Sequence, residues 1–218
     1  MLTGQPERGF GLDFAATAKP YPINLHFASK MWSAGNRNPA ANDPLHAGET
    51  VGHSREERSC DSMRAFEQAP RITPFLWFEA NAEEAVDYYL SVFKNSRKLS
   101  EFRNPGGARA PEGAILTIAF ELDGTRFTAL NGGSEYKFNE AVSFVVRCDS
   151  QEEVDYYWSR LTDGGSEIAC GWLRDKFGLC WQIVPARLME WIRHPKAMQA
   201  MMTMKKLDIA ELERAARE

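Results

Sequence analysis

The sequence predicts an α+β protein, and three observations support this fold class. A strand–helix–strands pattern runs over about residues 71–133, the same pattern returns over about residues 141–186, and residues 187–218 are helical in character. The two predicted helices, EEAVDYYLSVF and EEVDYYWSRL, share letters at a constant offset, since Val86 matches Val154 (154 − 86 = 68). A repeated unit with matched helices indicates a duplicated architecture.

The first module begins with a short apolar and aromatic run at residues 72–78, which is typical of a strand, and Pro74 favours its start or an edge position. Asn81 is predicted to cap the following helix, with Glu84 completing a capping-box pattern. Apolar residues then recur at helical spacing. Strands are predicted at about 97–104, 114–122 and 126–130, with Asp123-Gly124 as the hairpin turn between the last two.

The second module repeats this order. Residues 142–146 predict a strand, and Asp149 or Ser150 is the predicted cap of the next helix. Gly164-Gly165 ends that helix, and short strands are expected near 166–173 and 179–184.

The predicted helical tail has three parts. A turn of helix is expected around Met189, a Met-rich helix over 197–206, and a last helix whose start is marked by Asp208 and Glu211. The methionines favour adaptable packing against the domain or a second subunit, and a lid over a ligand is the alternative.

Residues 1–69 differ in character from residues 70–218. They show no sustained period of 2 or 3.6 and mix Pro, Asn, Gly, Arg and His. Such a composition buries too little apolar surface to offset the entropy lost on ordering. We therefore expect a disordered or non-native N-terminal extension, with a segment that folds on a partner as the alternative, and one domain over 70–218.

The bulk properties restrict the class of protein. A formal net charge of −4 argues against general binding to nucleic acid or to an anionic membrane. The sequence has no apolar run long enough for a membrane span and no secretory signal. Its four cysteines show no paired spacing, which favours reduced thiols and a cytoplasmic location.

Five segments, in order, resemble one known superfamily: ITPFLWFEANAEEAVDYYLSVFKNS, FELDGTRFTALNGG, SFVV, CGWLRDKFGLCWQIVP and AMQAMMTMKKLDIAEL. They resemble the vicinal oxygen chelate superfamily of glyoxalases, bleomycin-resistance proteins and extradiol dioxygenases, in its PhnB-like or 3-demethylubiquinone-9 3-methyltransferase-like branch. The resemblance implies two βαβββ modules that form a curved mixed-sheet cup for a small ligand, and a homodimer. In metal-using relatives the cup binds a divalent ion.

The residues at the implied metal positions argue against that ion. These positions fall near Pro74, Thr128, Val142 and Gln182, and none of the four side chains is an ionisable ligand. Only one histidine, His194, lies in the domain. We therefore expect no metal and no cofactor. A non-standard site from Glu79, Glu121, Asp175 or the cysteines remains the alternative. The glycine pairs lack the strand-to-helix context of an S-adenosylmethionine site.

Aromatic walls with a few polar groups suit a flat small molecule of mixed polarity. Trp172 and Trp181 are each as consistent with the core as with the cup, because one strand face meets the helix and the other meets the ligand. For Phe75 and Phe138 a core or dimer-interface role is favoured. The predicted ligand-binding residues are Trp77, Arg103, Asn131, Glu135, Trp172, Trp181 and Gln182.

Three functions remain open at this point. The first is a metal-independent small-molecule-binding protein, whose catalytic residues, if any, are unknown. The second is an enzyme with a non-standard metal site or acid–base chemistry from the carboxylates. The third is a dimeric interaction protein whose cup is filled. The expected partners are a small-molecule ligand and a second copy of the chain, with no nucleic acid and no membrane.

Overall fold

The computed structural model describes residues 70–107 and 110–218. The expectation of a disordered or non-native extension at 1–69 lies outside the described residues. Within the described part of the chain, no helix is both long and apolar enough to cross a membrane.

The first module is a four-stranded mixed sheet with one helix. Its strands lie in the order β1-β4-β3-β2, with β1 parallel to β4 and the other pairs antiparallel. The predicted hairpin turn is confirmed, because Asp123 and Gly124 both take positive φ (44° and 78°) between β3 and β4. The elements are β1 Phe75–Phe78, α1 Ala82–Val92, β2 Ser96–Arg103, β3 Ile115–Leu122 and β4 Thr125–Asn131.

The second module repeats the topology in the order β5-β8-β7-β6, again with its first and last strands parallel. The single strand predicted near 166–173 is two strands, because the chain turns between them. Cys170 and Gly171 both have positive φ there (54° and 84°), which no regular strand accommodates. The elements are β5 Ser143–Cys148, α2 Gln151–Thr162, β6 Ser166–Glu167, β7 Trp172–Arg174 and β8 Cys180–Pro185.

One hydrophobic core joins the two modules. The offset-matched residues Val86 and Val154 are both fully buried in it. Aromatic rings cross the boundary between modules: Phe93 and Trp181 lie 5.3 Å apart between ring centroids, and Phe127 and Phe144 lie 5.0 Å apart. These contacts join the two sheets through one core, and the predicted α+β fold class is confirmed.

The C-terminal tail forms three helices with a smaller core of their own. The predicted cap at Asp208 is confirmed, since its side chain accepts a hydrogen bond from the backbone N–H of Glu211. The Met-rich helix ends earlier than predicted, at Thr203. The helices are α3 Leu188–Trp191, α4 Pro195–Thr203 and α5 Ile209–Arg217. The buried residues of the smaller core are Leu188, Trp191, Ala197, Leu207, Leu212 and Ala215.

Two backbone hydrogen bonds attach this tail to the turn between β6 and β7. The N–H groups of Cys170 and Gly171 donate to the carbonyls of Met204 and Lys205, each at 2.7 Å. Gly171 also lies so close to the tail that a Cβ there would meet Leu207 at 3.1 Å and the Ile183 carbonyl at 2.8 Å. The tail therefore packs as part of the domain rather than as an appendage.

Candidate functional site

Each sheet has one face covered by its helix and one face turned away from it, which we call the cup face. Alternation along the strands and the strand registers assign residues to these faces. In module one the cup face carries Phe75 and Trp77 on β1, opposite Thr128 and Leu130 on β4. Leu76 and Phe78, which alternate with Phe75 and Trp77 along β1, are buried and point toward the helix.

The cup face of module two brings two predicted ligand-binding residues together. Trp172 on β7 is the direct cross-strand partner of Gln182 on β8, and Gln182 is in turn the partner of Val145 on β5. The Gln182 amide donates to the Ser143 hydroxyl at 2.8 Å. Val145 is 59% exposed. This row presents an indole, an amide and an apolar side chain on one open surface.

Trp181 lies on the opposite face of the sheet from Gln182, in the core, which is one of the two positions that the sequence left open. It pairs with Leu173 and Phe144 across the sheet and is only 3% exposed. Its indole N–H donates to the carboxylate of Asp175 at 2.8 Å. Adjacent strand residues point in opposite directions, so Trp181 and Gln182 cannot both face the cup.

Trp77 forms a wall of the module-one cup face, but its polar edge is already bonded. The indole N–H donates to the Gly133 carbonyl at 2.8 Å, and the Tyr136 ring packs edge-on with its centroid 4.8 Å away. A Cβ at Gly132 would lie 2.3 Å from the indole, so the loop fits over Trp77 only with glycine there. Glu135 belongs to the same loop and is exposed.

Asn131 makes structural hydrogen bonds on the helix side of the sheet, and its predicted role in ligand binding stays a prediction. It pairs with Phe78 on the helix side of the sheet. Its side-chain oxygen accepts from the Ala82 N–H at 2.9 Å, and its amide donates to Glu83 at 2.6 Å and to the Ile115 carbonyl at 3.0 Å. The bonds to Ala82 and Glu83 hold the first turn of α1, and the bond to Ile115 connects the same amide to β3.

Arg103 is bound to its own surroundings at the end of β2. Its guanidinium donates to the Gly113 carbonyl at 3.1 Å and to Glu101 at 3.0 Å, and its side chain is 58% exposed. These are surface contacts of a kind that contributes little to stability. Arg103 remains a predicted ligand-binding residue, on an exposed strand.

The implied metal positions do not fit a divalent ion. The side chains of Pro74 and Val142 carry no donor atom, Thr128 offers a neutral hydroxyl, and Gln182 offers a neutral amide. Among residues 70–107 and 110–218, no group of three or more His, Cys, Asp and Glu side chains is placed to hold a metal. The donor set at the family's metal position therefore does not match metal chemistry.

The carboxylates considered as alternatives each have a structural partner. Glu121 lies 3.1 Å from Arg97 and 3.6 Å from Arg126, and Glu79 lies 4.0 Å from Lys137. Asp175 is in the core, where burial raises the pKa of its carboxyl and four hydrogen bonds oppose that rise.

Two of the described cysteines, Cys148 and Cys180, lie in the core rather than at a surface where a nucleophile could act. Cys148 is fully buried, and burial, with smaller contributions from Glu153 and Asp149, raises the pKa of its thiol to about 12. Cys180 is also fully buried. A thiol held protonated behaves as a small apolar side chain rather than as a nucleophile.

Two βαβββ modules joined through a common core define a protein of the vicinal oxygen chelate fold. The model of the 3-demethylubiquinone-9 3-methyltransferase family matches residues 70–184. The chain therefore belongs to this family, the PhnB-like branch of the glyoxalase and bleomycin-resistance superfamily. A search of curated proteins found no relative.

The chain is also similar to several solved structures. A PhnB protein from Bacillus cereus, described as a 3-demethylubiquinone-9 3-methyltransferase, is 32% identical with a TM-score of 0.50, and the match covers 54% of this chain and 100% of that one. Protein PA1353 from Pseudomonas aeruginosa is 20% identical (TM-score 0.44, 54% and 98% covered). The fosfomycin resistance protein FosX from Listeria monocytogenes is 16% identical (TM-score 0.38, 56% and 97% covered).

Proposed function

We propose that this protein is a metal-independent small-molecule-binding protein and that its ligand lies on the cup face. The observation that carries the proposal is the row of Trp172, Gln182 and Val145 on adjacent strands of module two. An indole beside an amide suits a flat ligand with one polar edge, since the ring supplies contact area and the amide supplies orientation.

Metal independence is supported by the side chains at the family's metal position. A neutral Gln182 bonded to Ser143 can orient a ligand but is a poor anchor for an ion. The same position would need an anionic or imidazole group to bind a divalent ion tightly.

A second copy of the chain is part of the proposal. Phe75 and Val145, two large apolar side chains, are 53% and 59% exposed on the cup faces. Large apolar side chains exposed on a strand face mark a surface for a partner or a ligand. We infer a homodimer in which the cup face of one protomer is closed by its partner.

The test is a binding screen with one-ring and two-ring aromatic compounds that carry a hydroxyl, amide or carboxylate group. Hits from thermal shift are titrated calorimetrically, with and without EDTA, against the full chain and Trp172→Ala. We expect EDTA to leave affinity unchanged and Trp172→Ala to weaken it about tenfold, because the stacking surface is lost. Met189→Ala, at an exposed position of α3, is the control and should bind normally.

Two results would contradict the proposal. One is binding that disappears in EDTA and returns with a divalent ion. The other is a ligand whose affinity is the same for Trp172→Ala as for the unaltered chain.

A further inference from the structure

A cavity lies between the two modules, and neither Trp172 nor Gln182 lines it. Its volume is about 390 Å³, and it lies where the β3–β4 hairpin of module one meets β5 and the start of α2. We call it the intermodule pocket. Ligand sites in proteins commonly have volumes of about 300 to 1,000 Å³, so this cavity is large enough for a small organic molecule.

The walls of the intermodule pocket are aromatic. Phe93 and Tyr157 stack with ring centroids 5.3 Å apart, and Phe144 packs edge-on against Phe127 at 5.0 Å. Trp181 closes the wall, 5.7 Å from Phe144. Both modules supply rings, so the walls are held by the core that joins them.

The charges of the pocket are mostly negative. Its lining contains three carboxylates, those of Asp123, Asp149 and Glu153, and one guanidinium, that of Arg147. Arg147 is 70% exposed and lies 3.9 Å from Asp149. Asp123 accepts from the neutral Asn95 amide at 3.4 Å, and Glu153 accepts from the Asp149 backbone N–H at 2.8 Å. These two bonds to neutral donors leave the carboxylate charges in place.

Burial is the main cause that raises the pKa of Tyr157, and nearby Cys148, Glu153 and Asp123 raise it further. Glu153 and Asp123 line the pocket with Tyr157, so this direction agrees with the negative lining. A negative field across stacked rings disfavours anions and favours cations, which also interact well with aromatic faces.

We propose that the intermodule pocket binds a small organic cation, with its ammonium group near Asp123 and Glu153 and its apolar part against the aromatic wall. The ligand class is a primary to quaternary amine attached to one ring or a short alkyl group. The pocket shares Val145 with the cup-face row but contains neither Trp172 nor Gln182. The cation is proposed to contact Asp123, Glu153 and the aromatic wall, so its binding is tested separately from the ligand proposed for the cup face.

The test follows the indole N–H signals of the ¹⁵N-tryptophan-labelled full chain by NMR, with the Trp181 signal assigned from Trp181→Phe. The probe is benzyltrimethylammonium, and its matched comparisons are neutral benzyl alcohol and anionic benzoate. We expect a saturable shift of the Trp181 signal with the cation, weaker binding of the alcohol, and no shift with benzoate. Raising the salt concentration should weaken the cation's binding.

Asp123→Asn is the decisive variant, because asparagine tolerates the positive φ of this turn and keeps an oxygen for Asn95. We expect this variant to bind the cation roughly threefold more weakly, because one exposed negative charge is lost. Asp163→Asn, an exposed carboxylate at the other end of α2, is the control and should have no effect.

Three outcomes would overturn the proposal. They are equal binding of the cation and the alcohol, an unchanged affinity in Asp123→Asn, and a shift confined to the Trp172 signal. A shift confined to the Trp172 signal would place the cation on the cup face instead. If the ligand screen for the cup face fails, the Trp181 measurement can still be interpreted on its own.

Discussion

At the scale of single residues, Asp175 connects the two modules. Its carboxylate accepts hydrogen bonds from the Tyr89 hydroxyl and the Trp181 indole, each at 2.8 Å. It also accepts from the backbone N–H groups of Phe177 and Leu179 at 2.9 and 3.0 Å. Since Tyr89 belongs to α1 and the other three residues to module two, one buried side chain fixes both modules in place.

Replacing Asp175 with Asn should destabilise the protein strongly. The amide would direct N–H groups at donors that now meet oxygen, which leaves buried polar atoms without partners. We expect a loss of about 2–4 kcal/mol in the free energy of unfolding, measured by urea titration. Asp163→Asn should change that free energy by less than about 0.5 kcal/mol. Equal effects of the two variants would refute this role.

The pH dependence of this difference has a definite sign. Burial raises the pKa of the Asp175 carboxyl in the folded protein above its unfolded value of 3.8. The proton-linked part of its contribution is therefore fully present below the unfolded pKa and is lost as pH rises through the folded pKa, while its hydrogen bonds contribute in addition. The unaltered chain should gain stability over Asp175→Asn as pH falls from 7 to 4. A gap that narrows over this range would contradict the raised pKa.

At the scale of elements, the two equivalent helices start in different ways. α2 begins at Ser150, whose hydroxyl accepts from the Glu153 N–H at 3.3 Å, as one of the two predicted caps. Asn81, the predicted cap of α1, makes no side-chain capping bond. Asn131 of β4 supplies that bond to Ala82 instead. The helix start in module one thus depends on the sheet.

This difference predicts unequal costs for two similar substitutions. Asn131→Ala removes three hydrogen bonds and should cost about 1–3 kcal/mol. Asn81→Ala, at the exposed position with cap-like sequence, should cost less than about 0.5 kcal/mol. Urea titrations of both variants test this, and a larger loss for Asn81→Ala would show that the local sequence signal governs the helix start after all.

The sequence predicts elements better than it predicts side-chain roles, for a physical reason. Hydrophobic period and turn chemistry are local, so both modules, the Asp123-Gly124 hairpin and the Asp208 cap could be read from neighbouring residues. To identify which predicted ligand-binding residues lie on the cup face, the register of the strands must be known. Trp172 and Trp181 look alike in sequence, and only the pairing of β7 with β8 separates the residue on the cup face from the residue in the core. The structural role of Asn131 depends on a hydrogen bond to Ala82, 49 residues away in the sequence, so neighbouring residues do not reveal it.

At the scale of the whole molecule, the two sheets share one core while apolar side chains remain uncovered on their cup faces. Phe75 is 53% exposed and Phe102 is 44% exposed in module one, and Val145 is 59% exposed in module two. A single chain therefore buries the helix faces of both sheets and leaves the opposite faces for another surface.

The proposed homodimer predicts that a charge at Phe75 separates the protomers. Phe75→Lys should shift the mass measured by light scattering after size exclusion from that of two chains to that of one, because a buried unpaired ammonium is costly. Met189→Lys adds the same charge at a 70% exposed position of α3 and should remain a dimer. A monomeric unaltered chain would contradict the dimer directly.

The two backbone bonds that join the C-terminal tail to the β6–β7 turn have a consequence for hydrogen–deuterium exchange. The Cys170 and Gly171 amides are protected only while Met204 and Lys205 are in place, whereas the Ile183 amide is bonded within the sheet region to Gly171. If the tail detaches without global unfolding, the first two amides should exchange faster than the third. Matched rates for all three would mean that the tail and the second module open as one cooperative unit.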